Sequence, residues 1–264
     1  MRHRTFWILV SLAAIAVAGA CNSRSDVPPV SIVPEGGGAA ANAVGATGTS
    51  TVSGSIMLAG EPPAPEIIRM NSDPVCVKEA TNTETEYYVV GDGGGLGNVF
   101  VYVKEGLSGS YPASGETVVL DQQGCRYTPH IFGVQVGQTV QITNSDPTLH
   151  NIHATPAVNP EFNTGQPIQG MSMERTFDQV EVALDGSPMV PFKCDVHGWM
   201  NAYVGVLDHP YFVTTGPDGG FDIGNLPAGN YVIAAWHEML GEQTQNVTVG
   251  DGATANVSFT FTVG

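Results

Sequence analysis

The sequence predicts an all-β fold, and three observations carry that expectation. Gly (33) and Pro (18) together make up about a fifth of the 264 residues, while charged residues are only 13%, a profile of many turns and few solvated helices. Short runs that alternate apolar and polar residues recur along the chain, each bounded by turn-forming residues. No stretch sustains the apolar period of a helix. The length suits one or two domains, and 42% hydrophobic residues are enough for packed cores. A formal charge of −16, from 25 acids against 9 bases, argues against nucleic acid and anionic membrane surfaces as partners. A basic protein or a cation fits that charge.

At the start, Arg2, His3 and Arg4 form a positive head, and Phe6 to Val17 is an apolar run too short to span a bilayer as a mature helix. Ala18-Gly19-Ala20 follows as a small-residue cleavage site immediately before Cys21. This resembles a bacterial lipoprotein signal, with residues 1–20 removed and Cys21 lipidated as the membrane anchor. Ala18 departs from the branched residue usual at that position. Asn22, rather than Asp, favours the outer over the inner membrane. An ordinary secretory signal with an incidental cysteine is the alternative; either reading exports the protein, and the lipoprotein reading places it in the cell envelope, facing the periplasm. Residues 21–50, rich in Ser, Gly, Ala, Pro and Asn without periodicity, read as a flexible tether.

From residue 52 onward come the strand-like runs VSGSIML (52–58), NVFVYVK (98–104), ETVVLD (116–121), FGVQVGQTVQITN (132–144), MNAYVGVLD (200–208), GNYVIAAW (229–236) and ANVSFTFTV (255–263). GPDGG (216–220) and LPAGN (226–230) are turn chemistry between such strands. The glycines of GDGGGLGN (91–98) have no following helix and no Lys-Ser/Thr, which excludes a phosphate loop.

The candidate chemistry lies in FKCDVHGWMNAYV, residues 192–204. Cys194, His197 and Met200 stand on one loop between a strand ending at Phe192 and another resuming near Ala202. A copper ion that cycles between Cu(I) and Cu(II) takes one soft thiolate, two imidazoles and a weak thioether. This loop offers three of the four, and SDPTLHNIH (145–153) offers His150 as the fourth. Zinc fits less well, because methionine is a poor zinc ligand and no second cysteine is near.

These residues resemble a cupredoxin of the amicyanin, plastocyanin and pseudoazurin group. The likeness runs from Thr117 to Asp208 and rests on Tyr127-x-Pro129, VQVGQTV (134–140), NSD (144–146), HNIH (150–153) and CDVHGWM (194–200). It implies a Greek-key β-sandwich and one mononuclear type 1 copper held by His150, Cys194, His197 and Met200. It also implies that Asn151 braces the thiolate loop. Gly198 stands where the family often has Pro. By the same resemblance the His197 edge reaches the surface as the electron's exit, and a redox partner protein docks there, beside Trp199. His153 is expected to pack or hydrogen-bond on its strand, His130 to lie at the surface or between domains, and His237 to belong to the C-terminal part. A second, catalytic copper built from these three is not expected, so the chain is read as an electron carrier and not an enzyme. With Cys21 lipidated and Cys194 on the metal, Cys76 and Cys125 are left as a disulfide pair in an oxidising compartment; two buried free thiols are the alternative.

TTGPDGGFDIGNLPAGNYVIAAWHE (214–238) resembles instead the carboxypeptidase regulatory-like, transthyretin-type β-sandwich. In that family the signature follows two earlier strands, which occur here before the cupredoxin-like stretch. The expected organisation is therefore nested, with a smaller sandwich made of 51–107 and 209–264 and the cupredoxin, 108–208, inserted into it. A tandem arrangement, with 51–208 as one enlarged module, is the alternative. The function these resemblances imply is single-electron transfer between periplasmic or surface partners. The rivals are copper handling without redox duty, an accessory domain of a copper-dependent oxidoreductase, and an outer sandwich acting as an adhesion or carbohydrate-binding module.

Overall fold

The computed structural model describes residues 48–263. Cys21, the 1–20 leader and all but the last three residues of the 21–50 tether lie outside the described residues. Among those described, no helix is long and apolar enough to cross a membrane.

The chain opens with strand β1 (Ser50–Ala59), a short helix α1 (Pro74–Glu79) and β2 (Phe100–Glu105). Nine strands follow: β3 (Val118–Gln123), β4 (Arg126–Thr128), β5 (Ile131–Gln135), β6 (Val140–Asn144), β7 (His150–Ala154), β8 (Phe162–Gln166), β9 (Ser172–Arg175), β10 (Met189–Lys193) and β11 (Asn201–Leu207). Five complete the chain: β12 (Phe212–Thr214), β13 (Gly220–Leu226), β14 (Gly229–His237), β15 (Gly241–Val249) and β16 (Thr254–Thr262). The protein is all-β apart from one turn and a half of helix.

The strands form four sheets that face one another in two pairs. The middle stretch gives one sheet in the order β5-β11-β10-β7-β8 and another in the order β4-β3-β6-β9. Most neighbours are antiparallel, but β11 runs parallel to β5 and β3 parallel to β6. Between the two sheets lies an apolar core that includes Leu120, Tyr127, Val134, Ile142, Ile152, Phe177, Phe192 and Val204. This strand order defines a cupredoxin-like β-sandwich, here called the inner sandwich.

The outer sandwich is assembled from both ends of the described chain. β1 pairs antiparallel with β13 and parallel with β16, Thr51 opposite Thr254 and Ala59 opposite Thr262. The facing sheet runs β12-β2-β14-β15. Its core is apolar, with Val52, Ile56, Val101, Val103, Ile233, Phe259 and Phe261 all nearly inaccessible to water. The alternation that marked β16 in the sequence is seen directly, Val257, Phe259 and Phe261 pointing inward while their neighbours face solvent.

A third apolar layer joins the two sandwiches, with Phe100, Tyr102, Ala234 and Trp236 from one side against Ile131, Met189 and Leu207 from the other. Glycine makes this contact possible. A Cβ at Gly205 would stand 2.4 Å from the Phe100 ring, and one at Gly133 would stand 2.5 Å from Phe212, so any side chain there would push the sheets apart.

The segment between β1 and β2 behaves differently from what its place in the sequence suggests. Met70 and Cys76 pack in the core of the inner sandwich rather than the outer one. Helix α1 itself carried no sequence signal beyond its cap. Asp73 accepts a hydrogen bond from Val75 N at 2.8 Å, with Pro74 opening the first turn, and six residues are too few to show a period.

Candidate metal centre

Three strand ends converge where the inner sandwich meets α1. His150 is the first residue of β7, which pairs with β10 so that His153 lies opposite Lys193. One step beyond β10 is Cys194, and the loop to β11 carries His197 and Met200. That loop is held tightly: Met200 N donates to His197 O at 2.9 Å, and Cys194 N donates to Met200 O at 3.1 Å. His150, Cys194, His197 and Met200 are all buried, none more than 2% exposed. His150, Cys194 and His197 bring ligand atoms within 4.8 Å of one another. Met200 shares their apolar surroundings with Cys194.

Asn151 braces the thiolate loop by accepting hydrogen bonds at its Oδ1. The donors are Asp195 N at 2.7 Å, Val196 N at 3.3 Å and the Cys194 thiol at 3.3 Å. Its Nδ2 donates onward to Asn163 at 2.8 Å. The Cys194 sulfur also accepts from His197 N at 3.3 Å. Burial pushes the Cys194 thiol up, but hydrogen bonding from the two imidazoles and backbone N–H groups outweighs it and brings the thiol down to about 6. A thiol so placed is ready to act as a thiolate.

Each histidine carries a carboxylate on its far nitrogen. His150 Nε2 lies 2.9 Å from Asp146 Oδ2, and His197 Nε2 lies 3.2 Å from Asp73 Oδ2. Burial raises the Asp146 carboxyl, and hydrogen bonds from His150 and from the N–H groups of Cys125 and Gly124 pull it below the usual range. Those two N–H groups approach at 2.7 and 2.8 Å because Gly124 and Cys125 both adopt left-handed backbone, φ 61° and 56°, which turns successive N–H groups to one side. Asp73 is likewise raised by burial and brought below its ordinary value by hydrogen bonds from Thr148, Val75 N and His197. An ionised acceptor on Nε2 holds a proton there, so in the neutral ring Nδ1 carries the lone pair, and a proton added at Nδ1 is the one that donates to the Cys194 sulfur.

The two Nδ1 atoms face each other at 3.0 Å, with the Cys194 sulfur 3.9 Å from that of His197. Two lone pairs and a thiolate converging in a buried site repel unless something positive lies between them. A shared proton meets that need in the metal-free protein, and a soft cation meets it better. The donor set fits copper: one thiolate, two imidazoles and a nearby thioether. Cys194 is the one free cysteine among the described residues. Cys76 and Cys125 are joined in a disulfide, S–S 1.98 Å, so their sulfurs are not thiolate ligands.

One expectation needs correcting, and the other histidines fall where they were expected. The His197 edge does not reach the surface: the residue is 2% exposed, and Asp73 and the Cys76 sulfur, 3.7 Å from Nε2, cover it. Trp199 is half-buried, its ring 5.1 Å from His197 and its Nε1 donating to Cys125 O at 3.1 Å. His153 lies between Asp195, 2.9 Å away, and Glu161, 2.7 Å away. His130 bridges the two sandwiches, with Nε2 2.5 Å from Glu238. His237 is buried in the outer sandwich at the end of β14, stacked on Tyr88. None of the three joins the cluster of His150, Cys194 and His197.

The two carboxylates were not singled out from the sequence. The signal that could have found them is a repeated tetrapeptide, Asn-Ser-Asp-Pro, at 71–74 and again at 144–147. Each copy delivers the aspartate that meets one of the histidines.

No family model and no curated protein matches the chain. Solved structures are similar to part of it. A Cu(I) form of an amicyanin mutant is 21% identical over 41% of this chain and 98% of its own, at a TM-score of 0.29. A purple cupredoxin from Nitrosopumilus maritimus is 22% identical over 34% of this chain and 97% of its own, at a TM-score of 0.27. A Cu-containing nitrite reductase from Thermus scotoductus SA-01 is 19% identical over 38% of this chain, at a TM-score of 0.30, and the match spans about a quarter of that enzyme's length. These are likenesses of fold at low scores. The strand order defines the sandwich independently of them.

Proposed function

We propose that the protein is an exported, lipid-anchored type 1 copper protein that carries single electrons between partners in the cell envelope and is not itself an enzyme. The observation that supports this most directly is the pair of facing Nδ1 atoms beside the Cys194 sulfur, each imidazole tied back to a carboxylate. His150, Cys194 and His197 would hold one copper, with Met200 as the weak fourth ligand. When bound, the metal supplies a one-electron couple between Cu(II) and Cu(I). The chain's own residues supply the rest. Asn151 fixes the thiolate loop, Asp146 and Asp73 fix the imidazoles, and the apolar core excludes water, so little has to rearrange when the charge of the site changes.

In this reading Cys21 tethers the protein to the outer membrane. The outer sandwich, 51–107 with 209–264, hosts the copper module, 108–208, as a guest, an organisation supported by the pairing of β1 with β13 and β16. A redox partner docks at the ligand-loop end, near His197 and Trp199 and over the cover described above.

The test is to add Cu(II) to the full chain and record metal stoichiometry and the visible spectrum. One copper per chain with an intense thiolate-to-copper band is expected, and Cys194→Ser should abolish that band completely. A colourless protein, or a band that survives the substitution, would end the copper reading.

A further inference from the structure

The cover over His197 comes from a segment that belongs to no strand of the inner sandwich. Asp73 precedes α1 and is placed by four contacts. Its Oδ1 caps Val75 N, its Oδ2 accepts from Thr148 Oγ1 at 2.6 Å and faces His197 Nε2 at 3.2 Å, and its own N–H donates to Met70 O at 3.1 Å. Three residues on, Cys76 is bonded to Cys125. Cys125 lies in the left-handed turn whose N–H groups hold Asp146 and whose carbonyl accepts from Trp199. One turn, Gly124-Cys125, thus fixes the carboxylate behind His150 directly and the carboxylate behind His197 through a covalent link.

We propose that Asp73 is the positioning residue for His197. It holds the ring proton on Nε2, aims Nδ1 at Cys194 and His150, and, with the Cys76–Cys125 bridge, closes the histidine edge to solvent and to other ligands. This rests on the copper reading for its redox consequence but not for its structural one. An ionised acceptor makes the imidazole a stronger donor and favours the more highly charged metal. The bridge keeps that acceptor in place when the metal changes charge. The site is therefore completed by a piece of chain lying more than forty residues before the first strand of the inner sandwich.

The substitution Asp73→Asn separates this role from the cap, because Asn caps a helix as well as Asp while its Nδ2 cannot accept the Nε2 proton. Asp73→Ser, also a competent cap, serves as a second variant, and Asp73→Glu tests rescue. In the metal-free full chain, 15N NMR of the His197 ring should show a protonated Nε2 in the wild type and a mixed tautomer in Asp73→Asn, with thermal unfolding little changed. In the copper-loaded chain, Asp73→Asn should weaken Cu(II) binding about tenfold and favour Cu(I) about tenfold, a rise of about 59 mV in the one-electron potential. Glu should recover part of both. An unchanged His197 tautomer in both cap-preserving variants, or an unchanged affinity and potential in a protein that still shows the thiolate band, would overturn the proposal. A wild type that never turns blue defeats the copper reading alone, and the NMR comparison still decides the position of Asp73.

Discussion

His150 and His237 are both buried imidazoles, at 0% and 1% exposure, and their protonation is driven in opposite directions. Burial lowers the basicity of each. At His150 the Asp146 carboxylate and Cys194 outweigh burial and raise it. At His237 no carboxylate answers, the His130 charge adds to the effect of burial, and the ring is pushed down to about 4. His237 Nε2 has no hydrogen-bond partner among the described residues, whereas both ring nitrogens of His150 are engaged. The contrast extends to the regions around them. The inner sandwich gathers buried polar groups at one end, among them Asn144, Asp146, Asn151 and His197, and links them in one connected network in which Gln122 Oε1 is left without a partner. The outer sandwich fills its centre with aliphatic and aromatic side chains. One region is organised for chemistry and the other for stability.

That division can be broken by experiment. The largest expected effect is from Phe259→Ala in the outer core, where Phe259 is 1% exposed. It should cost about 3–5 kcal/mol in denaturant unfolding yet leave the visible spectrum of the copper-loaded protein unchanged. A shifted spectrum would show that the outer core shapes the metal site. Replacing Cys76 and Cys125 together by Ser removes a cross-link between residues 49 apart. It should cost about 4 kcal/mol by loop-closure entropy and also speed the loss of copper to a chelator. Loss of stability with no change in release would mean that the bridge serves only the fold. The smallest effect concerns pH. Unfolded, His237 titrates near 6.5, and folded it is held to about 4. The unfolded chain therefore takes up the proton first. The stability this burial contributes is complete above about pH 6.5 and falls as acid brings the pH towards 4, by at most about 3 kcal/mol. His237→Gln should flatten that part of the stability profile, and an unchanged slope would show that the ring opens to water before it protonates.

Much of this was legible in the sequence, for physical reasons. Alternation identified β1, β2, β14 and β16 because each has one face on a core and one towards water or a neighbouring layer. The four candidate ligands were legible because soft donors are rare and their spacing follows from a loop between two strands. β8 and β9 were missed: FNTGQ and SMER are short and carry polar residues at exposed positions. The cover over His197 was missed because a six-residue helix has no period. The bond between Cys76 and Cys125 joins segments that the expected boundary at 107 had assigned to different modules. The partial exposure expected of His197 assumed an isolated inner sandwich, and segment 60–99 removes that assumption by packing Met70 and Cys76 against it.

The parallel pairing of β1 with β16 also has a consequence in time. Thr51 finds its partner Thr254 only after about two hundred further residues have been made. At about 5–20 residues per second of synthesis, β1 waits on the order of 10–40 s as an unpaired strand with a buried-type face. The inner sandwich, whose strands are close in sequence, can form during that wait. The order of assembly is then set by connectivity, with the inner sandwich folding first and the strands around it closing last, over a site already built.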